Sequence, residues 1–150
     1  MSEHTSTIEW ERGDRAFEYE TFTRNHVWRF ANGVALEASS APDFLGDASR
    51  VDPEAGLVAA ISSCHMLTFL AIAARKRLVV ERYRDEAVGT LEKNADGKLA
   101  ITRVVLHPHV EFAGDAPDAA QLERLHHQAH VNCFIANSIK TDVRVEGVGD

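Results

Sequence analysis

Hydrophobic and polar residues alternate along residues 5–38 in the way expected of strands with one buried face. The predicted strands are 5–11, 16–23, 27–30 and 34–38. Asn32-Gly33 separates the last two strands, and this dipeptide favours a tight hairpin turn because both of its residues adopt positive φ readily. The amino-terminal part of the chain is therefore expected to be built from strands.

A long apolar segment follows a loop of small and polar residues at 39–50. Asp52-Pro53-Glu54 predicts the start of a helix, because it supplies an N-cap, a proline in the first turn and an acidic residue near the positive end of the helix dipole. The helix is predicted to run from Pro53 to about Arg75, roughly 33 Å at ~1.5 Å per residue. Arg75-Lys76-Arg77 then places cations at its negative end.

This predicted helix is apolar nearly all round its middle, so it must be covered on several sides. A membrane span is not expected, because the continuous apolar part covers only 57–72 and polar side chains occupy its centre at 62–65. A sheet and a second copy of the same chain are the expected cover, since one small chain has limited material to enclose the helix.

Strand and helix patterns also alternate in the second half of the chain. The predicted elements are strands at 78–93 and 99–112, a helix at 119–129, a further helix from Asn132 to about Lys140 and a last strand at 142–146. The polar turn at 94–98 contains Gly97 and predicts a hairpin between the two long strands. No repeat or linker interrupts this order, so we expect a single α+β domain over residues 1–150.

Composition and charge narrow the class of protein. The chain has 150 residues and 45% hydrophobic content, enough for one core. Its net charge is −7 and its basic clusters are local, so nucleic acid is not an expected partner. The amino terminus lacks the basic start and the apolar stretch of a signal peptide, so we expect a cytoplasmic location. Cytosolic thiols are normally reduced, which argues against a permanent disulfide.

The chain contains two cysteines, and both lie in settings that favour redox chemistry. Cys64 lies in the long apolar segment, whereas Cys133 is predicted in the first turn of the helix capped by Asn132, where the helix dipole would stabilise a thiolate. One thiol could be oxidised to a sulfenic acid, and the other could condense with it to a disulfide that an external dithiol resets. The alternative is that both are small apolar fillers, since free cysteine is often buried.

Two segments carry these cysteines in a specific order. They are Asp52-Pro53-Glu54 through Ala59-Ala60-Ile61-Ser62-Ser63-Cys64-His65-Met66, and Ala129-His130-Val131-Asn132-Cys133 with Asn137-Ser138-Ile139-Lys140. They resemble the two cysteine motifs of the OsmC/Ohr family, the osmotically inducible and organic hydroperoxide resistance proteins. The separation of 69 residues and the intervening strand hairpin also suit that family, so the resemblance covers essentially the whole chain.

The resemblance implies an OsmC-like fold, in which antiparallel sheets wrap around the long central helices of an intertwined homodimer. It also implies a thiol-dependent peroxidase that reduces organic hydroperoxides at the subunit interface, with Cys64 as the peroxidatic cysteine and Cys133 as the resolving one. Family members keep a glutamate near the start of the central helix, which Glu54 matches. They also keep an arginine from the amino-terminal strands, for which we choose Arg24; the alternatives are Arg29 and Arg50.

The resemblance further implies an external dithiol reductant, such as a lipoyl-bearing protein, and no metal or organic cofactor. Two positions depart from the family pattern. Phe134 follows the second cysteine where relatives often have proline, and His65 follows Cys64 where better-studied subgroups usually differ. Apolar neighbours such as Leu67 and Phe134 favour a bulky organic hydroperoxide over hydrogen peroxide, because its tail could be buried.

The histidines suggest a different kind of site. His126 and His130 are one helical turn apart, His127 lies beside them, and Cys133 follows His130 by three, a spacing that can bind zinc or copper. His107 and His109 add two more on a predicted strand. Polar helix faces often carry histidine without any site, and we therefore expect no metal.

A third interpretation keeps the fold without catalytic turnover. The protein would then be a dimeric thiol redox sensor or would bind a small ligand in the pocket around Cys64. A sensor predicts stoichiometric oxidation, whereas an enzyme predicts repeated cycles when a dithiol is supplied.

Overall fold

The computed structural model describes residues 1–148, and its contacts group the chain into two compact units. The first unit is Met1–Gly56 and the second begins at Leu57. That the whole chain forms one domain remains a prediction.

The first unit contains a three-stranded antiparallel sheet. Its strands are β1 (Ser6–Glu9), β2 (His26–Phe30) and β3 (Ala35–Ala38), in that order. The hairpin between β2 and β3 closes as predicted, with Gly33 at φ +85° and its amide 3.0 Å from the carbonyl oxygen of Phe30.

The predicted strand at 16–23 is wrong, because that segment forms turns. Its aromatic side chains pack on one another instead of on a neighbouring strand: the ring of Phe17 lies 5.5 Å from that of Phe22 and 5.8 Å from that of Trp10. The amide of Phe22 donates to the carbonyl oxygen of Glu18, a local bond that satisfies the backbone without a sheet.

The long apolar helix α1 covers Pro53–Arg75, the predicted bounds. Asp52 accepts a hydrogen bond from the amide of Ala55 at 2.8 Å and so stabilises the first turn. By length and composition alone, α1 is long and apolar enough to cross a membrane. One side of it instead packs in the protein core, through four buried residues at four-residue spacing: Ile61, His65, Phe69 and Ala73.

The two long strands predicted in the second half are each divided in two. The observed elements are β4 (Val79–Asp85), β5 (Val88–Lys93), β6 (Leu99–Leu106), β7 (Pro108–Ala113), α2 (Ala119–Asn132) and β8 (Asp142–Val145). The hairpin between β5 and β6 is confirmed, but β4 pairs with β7 in a separate sheet. The last strand, β8, runs parallel to β6.

Asp85 explains why both predicted strands bend at the same place. Its carboxylate accepts a hydrogen bond from the amide of His107 at 2.7 Å and another from the hydroxyl of Ser62. The amide of His107 is therefore satisfied outside a sheet ladder, and the chain can leave one sheet and enter the other.

Two apolar clusters form the core of the second unit, and α1 contributes to both. One contains Ile61, Val104, Leu106 and Val143, and the other contains Phe69, Ala73, Leu125 and Ala129. The first cluster joins α1 to the sheet of β5, β6 and β8, and the second joins α1 to α2. These contacts fix the position of α1 by apolar burial.

The predicted helix starting at Asn132 is wrong. A capping box between Asp118 and Gln121 starts α2, which continues to Asn132, and Cys133 is the C-cap with extended backbone at φ −73° and ψ 115°. The side chain of Asn132 donates back to the carbonyl oxygen of Gln128 at 2.8 Å, so it caps no following helix. Cys133 therefore lies at the end of a helix, and the helix-dipole argument for its thiolate does not apply.

Substitutions of two leucines of β6 can test which face of the strand packs in the core. Leu106 is fully buried, whereas Leu99 in the same strand is 59% exposed. We expect Leu106→Ala to lower the free energy of unfolding by about 2–5 kcal/mol, because it leaves a cavity. Leu99→Ala should change it by no more than about 0.5 kcal/mol. Urea unfolding at one fixed protein concentration measures both, and equal losses would contradict this assignment of the core.

Candidate active site

The two thiols meet where α1 passes the end of α2. Cys64 is partly exposed on α1, and Cys133, the residue after α2, is 1% exposed. Both are free thiols, and they lie near enough for the Cys133 thiol to lower the pKa of Cys64 by hydrogen bonding. The structure therefore brings together the two cysteines that the sequence singled out.

The surroundings of Cys64 favour its thiolate. Burial raises the pKa of the Cys64 thiol, but hydrogen bonds outweigh this effect and hold the pKa below its ordinary value. The groups responsible, from the largest effect to the smallest, are the amide of Ile135, the thiol of Cys133 and the amide of Phe134, followed by the hydroxyl of Thr68, which donates to the backbone carbonyl oxygen of Cys64 at 2.8 Å. Cys64 is thus the more acidic thiol of the pair and the better nucleophile near neutral pH.

Cys133 has the opposite character. Burial raises the pKa of its thiol, and its hydrogen bond to Cys64 raises the pKa further. The amide of Ala136 donates to the Cys133 sulfur at 3.5 Å but offsets only part of this effect. As pH rises, Cys64 therefore loses its proton before Cys133 does.

The backbone amides of Phe134 and Ile135 belong to the turn that follows α2. The amide of Cys133 bonds to the carbonyl oxygen of His130 at 3.3 Å, and the carbonyl oxygen of Cys133 accepts from the amide of Asn137 at 3.0 Å. A short 3₁₀ turn then covers Ala136–Ser138. Sequence reasoning missed these donors, because any residue type supplies an N–H and the side chains give no sign of where it points.

A cavity of about 650 Å³ opens beside Cys64. Its lining is mostly apolar and consists of Ala60, Ser63, Cys64, Leu67, Thr68, Ala71, Ile72, Arg75, Asn132, Phe134 and Ile135. Leu67 is 60% exposed and Phe134 is 81% exposed, so both present free apolar surface next to the thiol. The site can accommodate an apolar substrate of moderate size.

Arg24 and Glu54 both lie in the first unit, and none of the ion pairs formed within residues 1–148 includes either of them. The Arg24 guanidinium donates to the carbonyl oxygens of Phe22 at 2.8 Å and of Tyr19 at 2.5 Å, and it lies over the Phe22 ring. Glu54 is partly buried in the first turn of α1. Their roles at the thiol remain predictions.

The two alternative arginines already have acidic partners. Arg29 pairs with Glu9, and the Arg50 guanidinium lies 3.5 Å from Glu37 and 3.6 Å from Asp47. Each is thus bound to a carboxylate within its own unit.

The histidines form a buried pair. His65 Nε2 lies 3.0 Å from His126 Nδ1, and the two rings are nearly parallel, with their centroids 5.3 Å apart. The sequence analysis did not pair these two residues. The available signal was the four-residue spacing of the buried positions of α1, which includes His65. Within residues 1–148, no three His, Cys, Asp or Glu side chains are arranged to hold a metal ion.

The acidity of Cys64 can be measured by alkylation. We expect iodoacetamide to label Cys64 before Cys133, with a rate that rises around a midpoint below pH 9.0, the ordinary value for the thiol. Cys133→Ala should shift this midpoint upward, because it removes a donor to the Cys64 sulfur. Peptide mapping of the labelled protein at each pH identifies the site. Faster labelling of Cys133, or an unchanged midpoint in the variant, would contradict this description.

Comparisons with known proteins agree with the fold. The family model for OsmC-like proteins matches residues 46–147. The structure of an OsmC-like protein of unknown function from Vibrio cholerae is 49% identical, with a TM-score of 0.93 over 97% of this chain and 99% of its own. An uncharacterized protein from Bacillus subtilis, YmaD, is 25% identical over 126 residues, which are 82% of this chain and 83% of its own.

A more distant match extends the likeness in fold alone. The organic hydroperoxide resistance protein OsmC from Legionella pneumophila is 18% identical, with a TM-score of 0.72 over 97% of each chain. These matches confirm the predicted α+β class with OsmC-like antiparallel sheets. The chain belongs to the OsmC-like protein family.

Proposed function

We propose that this protein is a thiol-dependent peroxidase that reduces organic hydroperoxides to alcohols. The observation that carries the proposal is the pairing of the partly exposed Cys64, whose thiol pKa is lowered, with the buried Cys133, whose thiol pKa is raised. A peroxidatic cysteine must be a thiolate, and a resolving cysteine must reach it. Family membership and the name of the Legionella relative, an organic hydroperoxide resistance protein, support the same activity.

The first step would consume the hydroperoxide at Cys64. The thiolate attacks the distal oxygen, an S–O bond forms and the O–O bond breaks. The alkoxide leaves and takes up a proton from solvent to become the alcohol, while Cys64 becomes a sulfenic acid. The amides of Phe134 and Ile135, which stabilise the thiolate, prepare Cys64 for this attack.

The second step would close a disulfide. The Cys133 sulfur attacks the Cys64 sulfur, the S–O bond breaks, and hydroxide leaves with the Cys133 proton as water. An external dithiol, such as a lipoyl group on a partner protein, then returns two electrons and two protons and is itself oxidised to a disulfide. This cycle requires no metal or bound cofactor.

We further propose that the working form is an intertwined homodimer in the cytoplasm. The apolar helix α1 has few buried positions in a single chain, and Leu67 remains 60% exposed on it. A second copy would cover this surface, since exposed apolar area of this kind commonly marks an interface. The aliphatic part of the cavity would then favour a bulky hydroperoxide over hydrogen peroxide.

The roles of the two thiols are tested by turnover. With cumene hydroperoxide and dihydrolipoamide, we expect the wild type to cycle, Cys64→Ser to show only the background rate, and Cys133→Ser to react once and stop. The last variant should accumulate a Cys64 sulfenic acid that dimedone traps, because the resolving thiol is missing.

Wild-type protein that is oxidised only once in the presence of the dithiol would instead support a redox sensor. Faster reaction with hydrogen peroxide than with cumene hydroperoxide would count against the apolar substrate.

The supporting arginine is tested by three matched substitutions. We propose that Arg24 stabilises the Cys64 thiolate and the leaving alkoxide, with Glu54 orienting its guanidinium. Arg24→Met should then lower the rate of Cys64 oxidation by about 10²-fold, the usual effect of losing one donor to a developing anion. Arg29→Met and Arg50→Met should keep rates close to the wild type. A large loss in either of these two, with little loss in Arg24→Met, would reassign the role.

A further inference from the structure

The buried pair of His65 and His126 joins the two helices that carry the thiols. His65 is 1% exposed on α1 and His126 is 2% exposed on α2. Their bond of 3.0 Å is the single side-chain hydrogen bond between α1 and α2 within residues 1–148. The ring of Phe69 stacks on His126 at 4.4 Å and holds it against α1.

Each member of this pair lies close in the chain to one of the two cysteines. His65 directly follows Cys64. His126 precedes Cys133 by seven residues, which is about two turns of α2, so the two lie near the same side of that helix. A bond between the histidines therefore adds a directional constraint on the height of Cys64 relative to the end of α2, beyond the apolar contacts between the two helices.

The pair is neutral, which lets it bond. Burial lowers the pKa of both rings to about 4, and the neighbouring His130 further disfavours charge on His65. One ring donates and the other accepts. The outer nitrogens, Nδ1 of His65 and Nε2 of His126, have no partner in the described chain.

An apolar pair would fill the same space without leaving buried nitrogen atoms unpaired. Two unsatisfied ring nitrogens in the interior are unfavourable, and leucine side chains in their place would avoid the penalty. Packing alone thus gives no reason for histidine at these two positions. A hydrogen bond is directional and sets the distance between two atoms to within a few tenths of an ångström, whereas an apolar contact does not.

We propose that His65 and His126 are positioning residues, whose hydrogen bond holds the Cys64 sulfur against the amides of Phe134 and Ile135 and against the Cys133 thiol. The role assigned to these thiols rests on the proposed function, but the geometry of the thiol pair is measurable without it. A small slide of α1 along α2 would move Cys64 away from all three donors together. The thiolate would lose its stabilisation, and the two sulfurs would lose their approach.

Two sets of variants separate positioning from packing. His65→Leu and His126→Leu each remove the bond and leave a partner unsatisfied. His65→Gln and His126→Asn retain it, because the glutamine amide can reach the place of Nε2 and the asparagine amide the place of Nδ1. The double variant His65→Leu with His126→Leu removes both polar groups, and His127→Gln, an exposed neighbour, is the matched control.

Two measurements follow the thiols, and a third follows stability. The first is the pH midpoint of Cys64 alkylation. The second is the rate at which diamide closes the Cys64–Cys133 disulfide, a reaction in which diamide accepts two electrons and two protons from the thiols. The third is urea unfolding. Neither thiol measurement uses a peroxide, so a wild type without peroxidase turnover would refute the proposed function and leave this inference intact.

We expect each single leucine variant to raise the alkylation midpoint and to slow disulfide closure at least tenfold. The glutamine, asparagine and His127→Gln variants should stay within about threefold of the wild-type closure rate. The double leucine variant should recover stability while closing the disulfide as slowly as the single variants. Recovery of both stability and closure rate in the double variant would overturn the proposal, because apolar packing would then be sufficient. If a leucine variant does not fold, the His65→Gln and His126→Asn variants provide the test. A wild-type rate of disulfide closure in both supports the proposal, and a tenfold slower rate in either overturns it.

Discussion

The chemistry of this protein depends on backbone N–H groups that reach the sulfur of Cys64. Burial beside an apolar cavity by itself would keep this thiol protonated, because a buried charge is poorly solvated. Hydrogen bonds from the amide of Ile135, the thiol of Cys133 and the amide of Phe134 oppose that preference and lower the pKa. They do so because α2 ends at Asn132 and the chain then turns sharply through Cys133. The exact end of one helix therefore sets the reactivity of a residue on another.

Helix α1 serves both the core and the site. Its buried stripe contributes to the two apolar clusters, which hold the helix in place. Cys64 is adjacent to His65 of this stripe and faces the cavity. A rigid, well-packed helix keeps a catalytic side chain in position better than a loop does. The apolar surface that α1 leaves exposed is what the proposed second copy would cover.

Asp85 links the sheets to the same helix. Its carboxylate bonds to Ser62, two residues before Cys64, and to the amide of His107 at the bend between β6 and β7. The polar group that lets the chain pass from one sheet to another is therefore also in contact with the thiol-bearing helix.

The two residues that depart from the family pattern have different surroundings: Phe134 supplies an amide to Cys64, and His65 bonds to His126.

Features that depend on neighbours in the chain could be predicted from the amino-acid sequence. It specified both ends of α1, because the N-cap, the proline and the terminal arginine are local signals, and it specified the hairpins at Gly33 and Gly97. The spacing and neighbours of the two cysteines indicated both the family and the thiol pair. Local pattern was misleading at 16–23, where aromatic residues that favour strands pack on one another instead.

Features that depend on contacts between distant residues became clear only from the packing of the folded chain. Alternation at 78–93 and 99–112 could not reveal the bends, because these are fixed by Asp85 and His107, which are far apart in the chain. Asn132 matched an N-cap in pattern, but α2 continued through it and placed Cys133 at the opposite end of a helix from the one expected. The amide donors to Cys64 and the pairing of His65 with His126 are likewise invisible in the sequence. Backbone groups are the same for nearly every residue type, and only packing determines which of them meet.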